Sequence, residues 1–125
     1  MSRVLVVDDE EAVRILLQAH LRQTGHRVLM ASSAQGALAA VREHGPPDVA
    51  VLDVGLPDVQ GFDLAQQLRG EPGCEELPVI FLSAKVDQGH IDRGRQMGAV
   101  YLTKPYIRAA LYSAIDKAVS SPDGW

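Results

Sequence analysis

Four short apolar runs in this chain each end at a polar residue, and this pattern limits the folds that the chain can adopt. The runs 4–7, 49–52, 79–82 and 100–103 lead into Asp8-Asp9, Asp53, Ser83 and Lys104, respectively. If the runs are parallel strands, these side chains lie along one edge of a sheet, where open α/β sheets bind their ligands. A set of carboxylates, a hydroxyl and an ammonium suits a divalent cation together with a phosphoryl group.

Helical patterns separate the apolar runs and predict five strands alternating with five helices. The strands are expected at Arg3–Val7, Arg27–Ala31, Asp48–Leu52, Pro78–Leu82 and Ala99–Thr103. The helices are expected at Glu11–Thr24, from a Ser33 cap to near Gly45, from Gly61 to the loop at Gly70, at Gln88–Met97, and along the stripe Ile107–Val119. This alternation predicts an α/β fold, a doubly wound parallel sheet with helices on both faces. Leu16 is expected on the apolar face of the first helix, and Ile107 and Ala110 on that of the fifth.

The length and the charge of the chain narrow its class. A chain of 125 residues fits one domain, and we expect a domain over 1–120 followed by a flexible tail or the start of a linker over 121–125. A net charge of -4 without a basic run argues against nucleic acid and membrane surfaces as direct partners. The single cysteine, Cys74, fits a reducing cytoplasm and is expected to be an incidental loop residue. No signal peptide or membrane span is evident.

Three acids dominate the predicted sheet edge. Asp8 and Asp9 could simply cap the first helix, since carboxylates favour helix N-termini. Asp53 precedes Val54-Gly55-Leu56-Pro57 and caps nothing obvious. Two carboxylates about 4 Å apart repel by about 4 kcal/mol at an effective dielectric of 20, and a bound cation relieves that repulsion. Mg²⁺, or Mn²⁺ in its place, suits such oxygen ligands, whereas zinc is disfavoured because no cysteine or histidine lies nearby.

Lys104 and Ser83 complete the set of polar side chains predicted at this edge of the sheet. An ammonium at Lys104 could pair with Asp53 or with phosphoryl oxygens, and Ser83 offers a hydroxyl donor. A carboxylate beside a cation and a lysine can act as a nucleophile toward a phosphoryl donor, which gives an aspartyl phosphate. This hypothesis rests on the combination of acids, a hydroxyl and a lysine at the ends of four strands, since each residue alone is common at strand ends.

Together these motifs resemble the response regulator receiver domain of two-component signalling, in its chemotaxis-regulator-like form. The matching segments are 7–10, 52–57 with Gly61, 82–84 and 101–105, and the resemblance spans about residues 3 to 120. It implies a flavodoxin-like fold with strand order 2-1-3-4-5. It also implies a signalling domain that catalyses only its own phosphorylation and dephosphorylation.

The resemblance implies a role for each matching residue of the site. Asp53 would accept the phosphoryl group, and Lys104 would contact a phosphoryl oxygen. Asp9 would bind the cation directly, with help from Asp8, and the backbone carbonyl of Gly55 would be a further ligand.

The resemblance also implies a conformational switch. Ser83 would move to hydrogen-bond the phosphoryl group, Tyr101 would follow it inward, and the surface of helix 4, strand 5 and helix 5 would change. Pro105 would follow a cis Lys-Pro bond, which is rare enough to be a deliberate feature. Pro57 and Gly61 would be structural.

The implied partners are a sensor histidine kinase or a phosphotransfer protein, and a downstream protein or output domain on the helix 4/strand 5/helix 5 face. The chain departs from receivers with winged-helix output at Ala99-Val100, where acidic residues are more usual, which favours a monomer or a weak phosphorylation-dependent dimer. Gly55 leaves the site open on one side and Lys85 adds a cation nearby, and both bear on the phosphoryl lifetime.

Three other functions fit the sequence less well than a phosphoacceptor does. A phosphatase with an aspartate nucleophile would place an Asp-x-Asp motif after strand 1, where this chain has Asp8-Asp9. A flavin binder on the same fold would need a hydroxyl- and glycine-rich loop there. A degenerate receiver acting only as a protein-binding module would lack some of the required residues, and all of them are present.

Overall fold

The computed structural model describes residues 2–120 as one five-stranded sheet flanked by five helices. The strands are Arg3–Val7 (β1), Arg27–Ala31 (β2), Val49–Leu52 (β3), Val79–Ser83 (β4) and Val100–Thr103 (β5). The helices are Glu11–Gln23 (α1), Ala34–His44 (α2), Gly61–Arg69 (α3), Gln88–Gln96 (α4) and Arg108–Ser120 (α5). The predicted tail over 121–125 lies outside the described residues.

All neighbouring strands are parallel, and their order is β2-β1-β3-β4-β5, so the predicted doubly wound topology is confirmed. Every residue of β3 and β4 is buried, as expected for strands covered on both faces. The register pairs Val7 with Leu52, and Ser83 with Thr103. Asp8, Asp53 and Lys104, which follow these pairs, therefore meet at one edge of the sheet with Ser83, the last residue of β4.

Two apolar layers hold the helices against the sheet. Leu64 and Leu68 of α3 pack in one layer, together with the buried alanines of α2. Leu17 and Leu21 of α1 pack in the other layer with Leu111 and Ile115 of α5. The fold thus covers both faces of the central strands and leaves the carboxyl edge open between the layers.

Several sequence predictions about the apolar faces were wrong. Leu16 is 48% exposed and Ile107 is 71% exposed, because Leu16 lies off the buried face of α1 and Ile107 precedes the first residue of α5. Ala110 is exposed as well. Cys74 is only 1% exposed and packs in the α2/α3 layer, so it is a core residue rather than an incidental loop residue.

Helix α4 is weakly anchored. Its buried residue is Gly94, where an added Cβ would lie 2.9 Å from Tyr101 Cδ2 and 3.1 Å from Phe81 Cδ2. The glycine therefore lets the helix backbone approach both rings closely. Few buried apolar side chains are typical of a segment with low local stability. Across residues 2–120, none of the helices combines the length and the apolar character needed to cross a membrane.

Candidate functional site

The ladder of backbone hydrogen bonds continues one residue past the strands and fixes two acids side by side. Asp8 N donates to Ala31 O at 3.2 Å, and Asp53 N donates to Val7 O at 2.9 Å. Asp8 is 2% exposed and Asp53 is 7% exposed. The neighbouring strands β1 and β3 therefore present two buried carboxylates at the carboxyl edge, as predicted from the apolar runs.

Lys104 lies between these carboxylates. Its Nζ is 2.8 Å from Asp8 Oδ2, 3.0 Å from Glu10 Oε1 and 3.2 Å from Asp53 Oδ2. Burial by itself would lower the pKa of the ammonium, but the hydrogen bonds to Asp8 and Glu10 and the nearby negative charges outweigh burial and raise it. Lys104 is therefore a fixed positive charge at the site. The Lys104–Pro105 peptide bond is cis, as the resemblance implied.

The acidic cluster differs from the predicted one in a single member. Carboxylate oxygens of Asp8, Glu10 and Asp53 lie within 4.8 Å of one another, a spacing at which they could share a metal ion. Asp9 is exposed and lines the rim of the same cavity, but it is not part of that group. Neither Asp8 nor Asp9 is the cap of α1, because the N-cap is Glu10, whose side chain makes no capping hydrogen bond.

The three carboxylates fit a hard divalent cation. Oxygen ligands alone form the group, and no cysteine or histidine within residues 2–120 joins it. A cation would take over part of the neutralisation that Lys104 provides between Asp8 and Asp53. The site is thus able to bind a metal ion.

Burial raises the pKa of the Asp8 carboxyl. The charge of Asp53 adds to this effect, and the hydrogen bonds from Lys104 and from the Glu10 backbone oppose it without cancelling it. The folded protein therefore holds Asp8 ionised at a net cost in stability. Such a cost is typical of functional sites.

Replacement of Asp8 by asparagine is expected to stabilise the fold and to weaken cation binding. Asparagine keeps an oxygen for the Glu10 amide, which now donates at 2.9 Å, but it carries no charge to be desolvated. We expect a gain of about 0.5–2 kcal/mol in the free energy of unfolding at neutral pH, the usual range for stabilising substitutions. Urea unfolding measures the gain, and Mn²⁺ titration followed by water-proton relaxation measures the loss of affinity.

The pH dependence checks the cause of this gain. Because the folded state has the higher Asp8 pKa, it binds the proton more tightly than the unfolded chain does. As the pH falls through the folded-state pKa of Asp8, wild type gains stability relative to the variant, and the difference should shrink. A difference that stays constant from neutral pH to pH values near the ordinary carboxyl pKa would contradict the role given to burial.

Ser83, Lys85 and Tyr101 form a chain of contacts beside the acids. Ser83 is 1% exposed at the end of β4, and its Oγ accepts a hydrogen bond from Lys85 N at 3.1 Å. The Tyr101 hydroxyl donates to Lys85 O at 2.7 Å. The peptide groups of Lys85 therefore join the predicted hydroxyl donor to the predicted switch aromatic. Sequence reasoning named both ends of this chain, and the backbone contact that links them appears only in the structure.

The loop between β3 and α3 fixes the position of Asp53. Gly55 N donates to Asp53 Oδ1 at 3.2 Å, and an isolated bridge pairs Gly55 with Gln60 around the turn that contains Pro57. Gly61 N donates to Val54 O at 2.8 Å. An added Cβ at Gly61 would lie 2.1 Å from Asp53 O, so α3 begins in direct contact with the Asp53 backbone. The structural role predicted for Gly61 thus has a physical basis.

The side chains around Asp53 enclose an open cavity of about 310 Å³. Asp9, Gly55, Ser83, Lys85 and Lys104 lie along its walls together with Glu10 and Ala84. The polar residues predicted to act on a phosphoryl group therefore border one solvent-accessible space beside Asp53. The buried Asp8 is the exception.

Comparison with known proteins identifies the family of this fold. A sequence profile described as the response regulator receiver domain matches residues 4–116. The chain belongs to the response regulator receiver domain family. Receiver domains are signalling domains, and the acidic pocket of Asp8, Glu10 and Asp53 is typical of their phosphoacceptor site.

The chain covers different shares of its individual relatives. The transcriptional regulatory protein KdpE of Mycobacterium tuberculosis is 44% identical over 107 residues, which are 85% of this chain and 46% of KdpE. The chain thus spans just under half the length of KdpE. The protein PilH of Pseudomonas aeruginosa is 32% identical over 121 residues, which are 96% of this chain and 99% of PilH.

The solved structures agree with this assignment. The chemotaxis response regulator CheY4 of Vibrio cholerae superposes with a TM-score of 0.84 at 26% identity, covering 94% of this chain and 98% of CheY4. The receiver-domain fold of this chain, with its strand order and its flavodoxin-like architecture, is therefore shared with a chemotaxis response regulator.

Proposed function

We propose that this receiver domain accepts a phosphoryl group on Asp53 in a Mg²⁺-dependent reaction and thereby changes a surface that controls a partner. The observation that carries the proposal is the position of Lys104 Nζ, 3.2 Å from the most accessible buried carboxylate, Asp53, and 2.8 Å from its neighbour Asp8. A nucleophile, a fixed cation and ligands for a metal ion lie around one cavity. The family of the chain supports the same chemistry.

In this proposal an Asp53 carboxylate oxygen attacks the phosphorus of a phosphohistidine or of a small acyl phosphate. The Oδ–P bond forms as the bond from phosphorus to the donor breaks, and the donor leaves with the electron pair. Asp53 Oδ1 is held by Gly55 N, and Oδ2 faces Lys104, so the nucleophile is oriented before the donor arrives. Lys104 then neutralises oxygens of the transferred group.

Mg²⁺, or Mn²⁺, would supply further charge neutralisation when bound and would orient the donor. Asp8 and Asp53 lie just past the carboxyl ends of β1 and β3, where they would hold the ion together with the Gly55 carbonyl. Asp9 would reach it from the rim of the cavity. Hydrolysis by water would later return Asp53 to the free carboxylate.

The chain of contacts from Ser83 to Tyr101 gives a route from the phosphoryl group to the surface. If the Ser83 side chain rotates so that its hydroxyl donates to a phosphoryl oxygen, Oγ moves away from Lys85 N and the hydrogen bond that it accepts from Lys85 N is lost. The Lys85 peptide, whose carbonyl accepts from Tyr101, is then free to shift, and Tyr101 with it. Tyr101 lies against Gly94 of α4, so its movement would reposition a weakly anchored helix.

An amide NMR experiment tests this route. Addition of Mg²⁺ and beryllofluoride, a mimic of the phosphoryl group, should shift signals at the site and along α4, β5 and α5. In Ser83→Ala the shifts should stay near the site and fall to less than half over α4, since the hydroxyl that starts the movement is absent. Ser113→Ala, an exposed serine of α5, is the matched control and should respond like wild type. An undiminished α4 response in Ser83→Ala would remove Ser83 from the switch.

The partners follow from this reading. The phosphodonor would be a histidine kinase or a phosphotransfer protein, and the α4/β5/α5 face would contact an output domain or a separate protein. The chain covers 46% of KdpE and 99% of PilH, and these two relative lengths are compatible with an attached output domain and with a separate partner, respectively. We infer a receiver unit over residues 1–120 that acts in the cytoplasm as a monomer or as a weak dimer, with no direct contact to nucleic acid or membrane.

A further inference from the structure

Glu10 belongs to the acidic group beside the phosphoacceptor, but the proposed reaction gives it no role of its own. Its carboxylate lies 3.0 Å from Lys104 Nζ and belongs to the acidic group with Asp8 and Asp53. Sequence reasoning passed over it in favour of Asp9.

The backbone and the side chain of Glu10 are constrained very differently. Its backbone is fixed, because its amide donates to Asp8 Oδ1 at 2.9 Å and its carbonyl accepts from Arg14 N at 3.1 Å. Its side chain is 61% exposed and makes no capping hydrogen bond with α1. A short acidic side chain would be the better cap at this position. The longer glutamate is therefore free to reach Lys104 and equally free to swing away into solvent.

Lys104 thus has one partner that can leave easily and two that cannot. Asp8 and Asp53 are buried on the sheet edge, whereas Glu10 approaches from the exposed side and borders the cavity over Asp53. A phosphoryl group on Asp53 would need the same ammonium and would bring negative charge close to the Glu10 carboxylate. The three N–H donors of the ammonium already face Asp8, Glu10 and Asp53, so a phosphoryl oxygen that binds Lys104 must displace one of these carboxylates. Repulsion between the phosphoryl group and the exposed Glu10 carboxylate makes Glu10 the partner that leaves.

Building on the proposed function, we propose that Glu10 is a positioning residue that competes with the phosphoryl group for Lys104. In the unphosphorylated protein the Glu10 carboxylate forms an ion pair with the Lys104 ammonium, in the place that phosphoryl oxygens would take. Phosphorylation displaces it, and the displacement sets how strongly the site holds a phosphoryl group. Glu10 therefore acts through Lys104 and does not touch the reacting atoms.

The test compares beryllofluoride affinity by isothermal titration calorimetry at saturating Mg²⁺. Glu10→Gln removes the competing charge and should bind beryllofluoride about two- to tenfold more tightly than wild type, as expected for loss of one partly exposed charged partner. Glu11→Gln makes the same change in charge at the neighbouring exposed position and should bind within about twofold of wild type, since solvent and salt screen a charge outside the cluster.

The variant Glu10→Asp separates the effect of side-chain length at position 10 from the effect of its negative charge. Aspartate keeps the negative charge but is one methylene shorter and is a favoured N-cap, so its carboxylate should turn to the α1 amides and release Lys104. We expect its beryllofluoride affinity to lie nearer to that of Glu10→Gln than to that of wild type. A purely structural role for Glu10 would not produce this ranking.

The outcomes are distinguishable. Equal or weaker beryllofluoride binding in Glu10→Gln, with wild type binding normally, would overturn the competition and leave the phosphoacceptor function in place. A fall in Mg²⁺ affinity in Glu10→Gln, measured without beryllofluoride and accompanied by weaker beryllofluoride binding, would instead make Glu10 a cation ligand. Failure of every variant and of wild type to bind beryllofluoride would overturn the proposed function together with this inference.

Discussion

Replacement of Asp53 by asparagine is expected to abolish phosphoryl uptake while the fold stays intact. The amide oxygen of asparagine can still accept the Gly55 N–H that now reaches Asp53 Oδ1 at 3.2 Å, so the loop after β3 keeps its anchor. The amide is no nucleophile toward phosphorus, and the other acids do not occupy its place. Asp8 is the more deeply buried acid, and Glu10 is paired with Lys104 on the exposed side.

Intact-mass spectrometry after incubation with acetyl phosphate measures this effect. Wild type should gain one phosphoryl group in the presence of Mg²⁺ and none after chelation, and Asp53→Asn should gain none in either condition. Asp63→Asn is the matched control, because Asp63 is a surface acid of α3 that lies 3.6 Å from Arg93 and belongs neither to the acidic cluster nor to the lining of the cavity. Phosphorylation of Asp53→Asn to the level of wild type would place the nucleophile on another residue.

The second large effect is expected at Gly61. A Cβ at this position would lie 2.1 Å from Asp53 O, 2.9 Å from Asp53 C and 3.0 Å from Val54 Cα. All three atoms belong to backbone, so no flexible side chain can move aside. Gly61→Ala must push the start of α3 away from the end of β3, and overpacking of this kind typically costs about 1–3 kcal/mol and occasionally more. We expect a cost at or above the upper end of that range.

Urea unfolding with a matched glycine substitution isolates this contact. Gly89 lies in α4, where an added Cβ would meet only the Asp87 carboxylate at an ordinary distance of 3.4 Å. Gly89→Ala should therefore gain about 0.4–1 kcal/mol, because alanine lowers the conformational entropy of the unfolded chain. Opposite signs for the two substitutions are the expected result. Equal stability of Gly61→Ala and wild type would show that the α3 start is not held against Asp53.

The apolar runs made most of the fold and much of the site predictable. Strands that are buried on both faces leave continuous apolar sequence, and the residue after each strand in a parallel sheet falls on the carboxyl edge. This reasoning brought Asp8, Asp53, Ser83 and Lys104 together before any coordinates. It required that β1, β3, β4 and β5 lie side by side in this order, as the register shows.

The choice among adjacent acids could not be made from sequence. Asp8, Asp9 and Glu10 follow one another, and which carboxylates point into the cluster depends on the backbone path between β1 and α1. That path turns Asp9 to the exposed rim and lets the longer Glu10 side chain return to Lys104. The motif matched to the family names the paired aspartates, so the glutamate carried no signal of its own.

The errors at the helices have a similar origin. Periodicity identifies an apolar face but not whether a neighbouring element covers all of it, so Leu16 of α1 stays half exposed. Gly94 weakens the helical pattern of 88–97 because glycine is a poor helix former, whereas in the structure it lets α4 approach two aromatic rings closely. Cys74 lies in a loop rich in glycine and glutamate, and its burial depends on the fold of that loop against the α2/α3 layer.

The most direct test of the phosphoacceptor is to locate the modified residue in wild type. Protein phosphorylated by acetyl phosphate and Mg²⁺ is treated with borohydride, which reduces an acyl phosphate to an alcohol, and is then digested and sequenced by tandem mass spectrometry. The account predicts homoserine at position 53 and unmodified Asp8, Asp9 and Glu10. Homoserine at another acid would contradict the assignment of Asp53. Absence of any reduced residue, together with failure to bind beryllofluoride, would make the domain a phosphorylation-independent binding module.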